Sequence, residues 1–422
     1  MELWQQVCGY TRPLDEPQLH DRRGGWGGVG RRGCGAVSEV PVGRRIAQWR
    51  VRRNMTQQQF ADRLGKSKSW VDKIERGARR VERVSNLREV AEALRIDLAT
   101  LLPDRAGRSA PAVAGVERVR AALARYHVPA SSRPVDVAQV RARLDHAEQS
   151  YRHARYPALL RLLPDLLDEV RQVRVDRPDP AGDELLVGAY GLIALALIKL
   201  DQRESAWLAA DRGMAVALGT GNALLVAVAT VPLSQALRAV GRRRSAMDAT
   251  VVAAQRIAHR GGDAAALRTT LLVQAGLAAG GRGDGRSARE LIDQAAAIVP
   301  ELPDGYGTAA VEAARVVIAA DLGDVGVAAA RHVRLTAGSG WRWLPTEHRA
   351  AYLLDVARAH ARCGDMLQAG RALLDAERTA PGEVRDRPSA RALVAVTARA
   401  AAAPAALTRL ATSLHVGGDG AG

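Results

Sequence analysis

TQQQFADRLGKSKSWVDKIERG, residues 56–77, decides how the amino-terminal part of the chain folds. Thr56 with Gln59 three residues on forms a Thr-x-x-Gln capping box, which satisfies free amides at a helix start. Phe60, Ala61 and Leu64 then follow as an inward stripe at helical spacing. Gly65 supplies the left-handed residue that ends a helix without a Cβ clash. Ser67 caps a third helix, Lys68–Arg76, with Val71 and Ile74 turned inward, and Gly77 stops it. Working outward, Val42–Arg53 predicts a preceding helix with Ile46, Ala47, Trp49 and Arg50 on one side. Ser85 is the expected cap of a fourth helix carrying Leu87, Val90, Ala91 and Leu94, and a last turn at Asp97–Leu102 closes against Pro103. The expectation is a five-helix domain over residues 40–103.

A small residue, Ala61, four positions before the turn glycine lets the second helix of the pair cross the first and stand outward. A helix presented in this way fits the major groove of B-DNA. Its exposed face carries Lys68, Ser69, Asp72 and Lys73, all able to exchange hydrogen bonds with base edges. Lys66, Lys68 and Lys73 are three of the four lysines in the chain, and residues 40–102 hold 15 basic against 7 acidic residues, an excess of +8 out of +16 in the whole protein. Asp72 would repel phosphate, so it either accepts from a cytosine amino group or faces water. Trp70 shares a face with Ile74 and is expected to pack rather than stack on a base. A solvated helical bundle with an Arg-rich surface is the competing reading, but the coincidence of cap, turn glycine and basic face argues against it.

These residues resemble the lambda-repressor-like (XRE, Cro-type) helix-turn-helix domain. The pattern stands here as Thr56-Gln57, Ala61, Gly65 and Val71-x-x-Ile74-Glu75-Arg76-Gly77. The resemblance implies that Gln57 anchors to a phosphate or base. It places Lys68, Ser69 and Lys73 at base-reading positions, with Lys66 and Asp72 beside them. Arg76, Arg80 and Arg83 fall where the following loop grips backbone or minor groove. It also implies a structural pair between Arg50 and Glu75.

The remainder divides by texture. Residues 1–39 read as a disordered arm, because seven of the twelve positions from Gly24 to Gly35 are glycine and ordering them costs too much entropy. Residues 104–133, rich in Pro, Ala, Gly and Ser, read as a linker with a short helical patch, and 417–422 as a disordered tail. Between them, 134–416 is a series of amphipathic helices with a period. Ala206, Ala246, Ala288, Ala328 and Ala369 recur at intervals of 40, 42, 40 and 41, and Gly241, Gly283, Gly323 and Gly364 each stand five residues before the last four. Such a period marks stacked helical hairpins, with Gly at the turn and Ala at the close contact. This region resembles tetratricopeptide-like repeats, although its period exceeds that family's, which is about 34 residues. The resemblance implies an α-solenoid that serves self-association and offers a groove to a peptide, protein or small-molecule effector. The groove positions inferred from the glycine register are mostly Ala, Val and Leu. Tyr306, Trp341, Arg342, Trp343 and Tyr352 form the aromatic concentration of the region, as a ligand site or, on the favoured reading, as packing between repeats.

The whole is therefore read as all-α. Hydrophobic residues make up 47% and charged residues 25%, against wholesale disorder, while aromatics at 4% with a single Phe speak against a β-rich fold. Cys8, Cys34 and Cys363 are too few and scattered for a disulfide framework or metal site, which suits a reducing cytoplasm and, with DNA as partner, the nucleoid. The apolar run Leu185–Ile198 is short for a membrane span, and the first residues lack a secretory signal, so no membrane partner is expected. Gly25–Gly30 formally satisfies a dinucleotide fingerprint but has neither a preceding strand nor a following helix. No cofactor, metal or catalytic constellation is expected, hence no enzyme. Two readings remain: a dimeric DNA-binding transcriptional regulator with a sensing solenoid, or an interaction scaffold using the helix-turn-helix as a docking module.

Overall fold

A computed structural model describes residues 42–52, 55–76, 84–94, 110–126, 136–176, 179–259, 263–301 and 306–416. The arm, the tail, the Asp97–Leu102 turn and Gly77 lie outside these residues. Among the described residues the regular elements are all helices, as the composition requires, and they fall into two units.

The first unit contains α1 (Val42–Arg52), α2 (Gln57–Leu64), α3 (Lys68–Glu75) and α4 (Val84–Leu94). Helix α4 begins at Val84, one residue ahead of the expected cap Ser85. Ile46, Phe60, Ala61, Val71, Ile74, Val90, Ala91 and Leu94 form one buried core, with Trp49, Leu64 and Trp70 packed on its rim. Trp70 thus completes the core.

The second unit begins earlier than the sequence suggests. Residues 110–124, assigned to a linker, form α5 (Ala110–Ala124), whose Val116, Val119, Ala122 and Leu123 are buried in the core of the second unit. Gly115, which reads as a linker residue, is a packing site: a Cβ there would lie 2.9 Å from Leu160 Cβ.

Then come α6 (Val137–Arg152), α7 (Tyr156–Asp176) and five hairpins: α8 (Pro180–Lys199) with α9 (Arg203–Gly219), α10 (Ala223–Ala239) with α11 (Arg243–Arg256), α12 (Asp263–Gly280) with α13 (Gly285–Ile298), α14 (Tyr306–Asp321) with α15 (Val325–Ala337), and α16 (Thr346–Arg362) with α17 (Met366–Thr379). Three short helices follow, α18 (Pro381–Arg385), α19 (Pro388–Ala398) and α20 (Ala405–Ser413).

The period has a simple backbone cause. Gly241, Gly283, Gly323 and Gly364 have φ of 81°, 81°, 88° and 78°, and Asp201 fills the equivalent place in the first hairpin at φ 56°. In all five the next residue's amide donates to the carbonyl five positions earlier, from Gln202 to Leu197, Arg242 to Leu237, Asp284 to Ala279, Asp324 to Ala319 and Asp365 to His360. This is the Schellman closure of a helix, which needs one left-handed residue. The periodic alanines 206, 246, 288, 328 and 369 are all buried where the second helix of each pair lies on the first. Helix α8 is long and apolar enough to cross a membrane, yet 78% of its apolar window is buried within the protein, making it a core helix of the solenoid.

Candidate functional site

The α2–α3 pair is built by local chemistry. Thr56 Oγ1 accepts from the Gln59 amide at 3.2 Å while Gln59 Oε1 accepts from the Thr56 amide at 2.9 Å. Gly65 turns the chain at φ 61°, and Ser67 Oγ accepts from the Trp70 amide at 3.2 Å to start α3. Gly43 seats the pair on α1: a Cβ there would lie 1.9 Å from the Ile74 carbonyl oxygen, so only glycine admits this backbone approach. Nothing local in the sequence marks Gly43, because its requirement arises from a residue 31 positions away.

Behind α3 lies a polar clasp. Arg50 Nε donates to Glu75 Oε1 at 2.6 Å and Arg50 Nη2 to Glu75 Oε2 at 3.0 Å, while Nη1 holds the Met55 carbonyl at 2.7 Å. Gln57 Nε2 joins by donating to Glu75 Oε2 at 2.8 Å. Glu75 is therefore buried with each oxygen satisfied, and α3 is fixed in rotation against α1 and α2. Gln57 was expected to reach toward DNA. The structure commits its amide nitrogen to this clasp and leaves only its oxygen.

The opposite face of α3 is open. Lys66, Lys68, Ser69 and Lys73 are exposed and make no side-chain hydrogen bond or ion pair among the described residues. Asp72 accepts from the exposed Arg76 one turn on, so these two neutralise each other on the same surface. Arg80 and Arg83 lie outside the described residues. The resulting surface is a rigid short helix with two free lysines and a hydroxyl at its solvent face, and a third free lysine, Lys66, just ahead of its cap.

The solenoid offers a second site. Helices α8, α10, α12, α14 and α16 share a concave cavity of about 460 Å³. Its lining is not the Ala, Val and Leu surface inferred from the glycine register: Lys199, Arg238, Arg243, Gln274, Asp355 and Arg387 also face it. The period locates the turns, but it does not say which residue of each 3.6-residue turn points inward. At one end lies a buried polar knot. Lys199 bonds to Glu347 and lies 3.2 Å from Glu383, while Glu383 also takes bonds from Tyr156 and Arg387. Burial alone would raise the Glu383 carboxyl, but Lys199 and Arg387 beside it hold it below the usual value. At the other end burial lowers the Arg238 guanidinium, with Asp355 opposing that shift and Arg243 adding to it.

Of the aromatic group, Trp341 and Tyr352 come together among the described residues, and Tyr352 also lines the concave cavity. Trp341 packs edge-on against Tyr352 at 5.5 Å, and His332 stacks on Tyr352 at 5.7 Å with Nδ1 2.9 Å from its hydroxyl. Arg342 and Trp343 point to solvent, and the Tyr306 side chain is outside the described residues. Burial raises the Tyr352 phenol, in keeping with a packing role between α15 and α16. No group of three His, Cys, Asp or Glu among the described residues is placed to hold a metal ion.

Residues 41–103 match the family described as a helix-turn-helix domain, and the first unit carries that domain. No curated protein matches the chain. Among solved structures the chain is similar to PlcR of Bacillus thuringiensis in complex with a peptide and DNA, at 13% identity over 76% of this chain and 97% of that one, with a TM-score of 0.34. It is similar to aspartyl phosphate phosphatase F of Bacillus subtilis, at 12% identity over 82% and 96%, TM-score 0.44. A third likeness is to ComR from S. thermophilus in complex with DNA and its signalling peptide, at 11% identity over 80% and 99%, TM-score 0.29.

Proposed function

We propose that the chain is a sequence-specific transcriptional regulator of double-stranded DNA, acting in the cytoplasm as a homodimer, with the solenoid sensing a partner or ligand. The observation that carries this reading is the open face of α3. Lys68, Ser69 and Lys73 are free to meet base edges because the Arg50–Glu75–Gln57 clasp and the Gly43 contact hold the helix from behind. Lys66 and Arg76 flank that face for phosphate contact, with Arg80 and Arg83 assigned to the loop beyond. A homodimer would present two such helices to half-sites about 34–36 Å apart.

The test is binding to promoter DNA flanking the protein's own gene, across a range of salt. Affinity falls by a log–log slope of about −0.9 for each phosphate neutralised. Lys73→Ala is expected to cost about 1–3 kcal/mol on the specific site and little on random DNA. An unchanged affinity for both, or no sequence-selective complex at all, would favour the scaffold reading.

A further inference from the structure

The charged groups around the concave cavity divide into those with partners and those without. Lys199, Glu347 and Arg387 are engaged in the knot with Glu383. Asp355 pairs with Arg358, and Asp321 with Arg362. The side chain of Arg238, in the last turn of α10, has no hydrogen bond or ion pair among the described residues; Asp355 and Asp321 act on it only through space, and its Nη1 is shut off from solvent. Gln274 on α12 lines the same cavity, with its Oε1 equally enclosed and without a donor. A guanidinium nitrogen and an amide oxygen that are shut off from water without a partner are each destabilising, whereas an apolar side chain in either place would not be. Val231, Val273 and Leu277 beside them show that the wall takes apolar residues readily.

We infer that Arg238 and Gln274 are the recognition groups of a ligand site for a carboxylate borne next to an amide N–H, as in an N-acyl amino acid or the last residue of a short peptide. This rests on the reading that the solenoid senses a ligand, and it names that ligand's chemistry. The guanidinium fork receives the two carboxylate oxygens. Gln274 Oε1 accepts the ligand's N–H, and the apolar wall takes its side chain. Arg243 at the exposed rim adds a second positive charge. A doubly charged phosphate suits the site less well than a singly charged carboxylate, because Asp321 and Asp355 beside Arg238 oppose each added negative charge and Gln274 presents an acceptor rather than a donor. The volume of about 460 Å³ lies within the range of small-ligand sites.

The experiment is affinity-selection mass spectrometry on the full chain with three probe mixtures: tetrapeptides with free carboxyl ends, the same tetrapeptides as carboxamides, and N-acyl amino acids. Free acids are expected to be retained at least about tenfold over the carboxamides. Retention in the first or third mixture tells a peptide end from a small molecule. Arg238→Met and Gln274→Leu are each expected to abolish retention without lowering the melting temperature, since each removes an unpaired buried group. Equal retention of acids and carboxamides, retention by Arg238→Met, or no retention from any mixture would overturn the assignment. Lys73→Ala is expected to capture ligand like the parent, so failure of this site and failure of the DNA reading are separately visible.

Discussion

Glu148 on α6 is 1% exposed and neither of its carboxyl oxygens has a hydrogen-bond partner. Burial, and then the neighbouring Asp145, push its carboxyl well above the ordinary value, against a smaller opposing effect of Arg152. The folded protein therefore holds the proton while the unfolded chain releases it near the ordinary value. The stability that the protonated group contributes is complete below that value and is lost as pH rises toward the folded one. Glu148→Gln should leave the melting temperature unchanged near pH 4 and stabilise by on the order of 1–2 kcal/mol near pH 8. Equal effects at both pH values would mean that the group ionises in the fold. At this scale the sequence was most readable where chemistry is local. Thr56, Gly65 and Ser67 act on amides within four residues, and all three are seen in those roles. The Gln57 contact to Glu75 and the need for Gly43 were not legible because their partners, Glu75 and Ile74, come near only after α3 has folded back.

Between elements, the sign of a glycine substitution is decided by the backbone rather than by space. Gly283 and Gly326 both have nothing within 4 Å of a built Cβ, but only Gly283 sits at positive φ. Gly283→Ala is expected to destabilise by about 1 kcal/mol, and Gly326→Ala, within the first turn of α15, to stabilise by up to about 1 kcal/mol. Thermal melts of the two variants moving in the same direction would refute the assignment of the turn register. The hairpin period was legible because each turn needs a left-handed residue. The turn residue of its first member, after which Ala206 follows, was not, since Asp201 stands where the others have glycine and is tied instead by accepting from the Ser389 amide at 2.9 Å. Helix α5 is hidden for the converse reason: its Pro, Ala and Gly content suggests a linker, and the packing of Gly115 on Leu160 shows only in the fold.

For the solenoid as a whole, the first and last hairpins are joined directly. Tyr156, Lys199, Glu347, Glu383 and Arg387 come from α7, α8, α16, α18 and the residue preceding α19, and the Gly382 Cα approaches so closely that a Cβ would lie 1.9 Å from the Ala154 carbonyl oxygen. Lys199→Met leaves Glu347 and Glu383 without their shared cation and should cost about 3–5 kcal/mol, measured by denaturant unfolding. A loss below about 1 kcal/mol would show that the carboxyl groups take up protons instead. The closure was not visible in the sequence, because Lys199 lies 148 positions from Glu347, Tyr156 lies 227 from Glu383, and no periodicity links them; only the Glu383–Arg387 pair is local. A hoop pinned at its clasp has a fixed circumference. A guest that pressed α10 or α12 outward would strain a ring that the Lys199–Glu347 and Lys199–Glu383 pairs already hold shut.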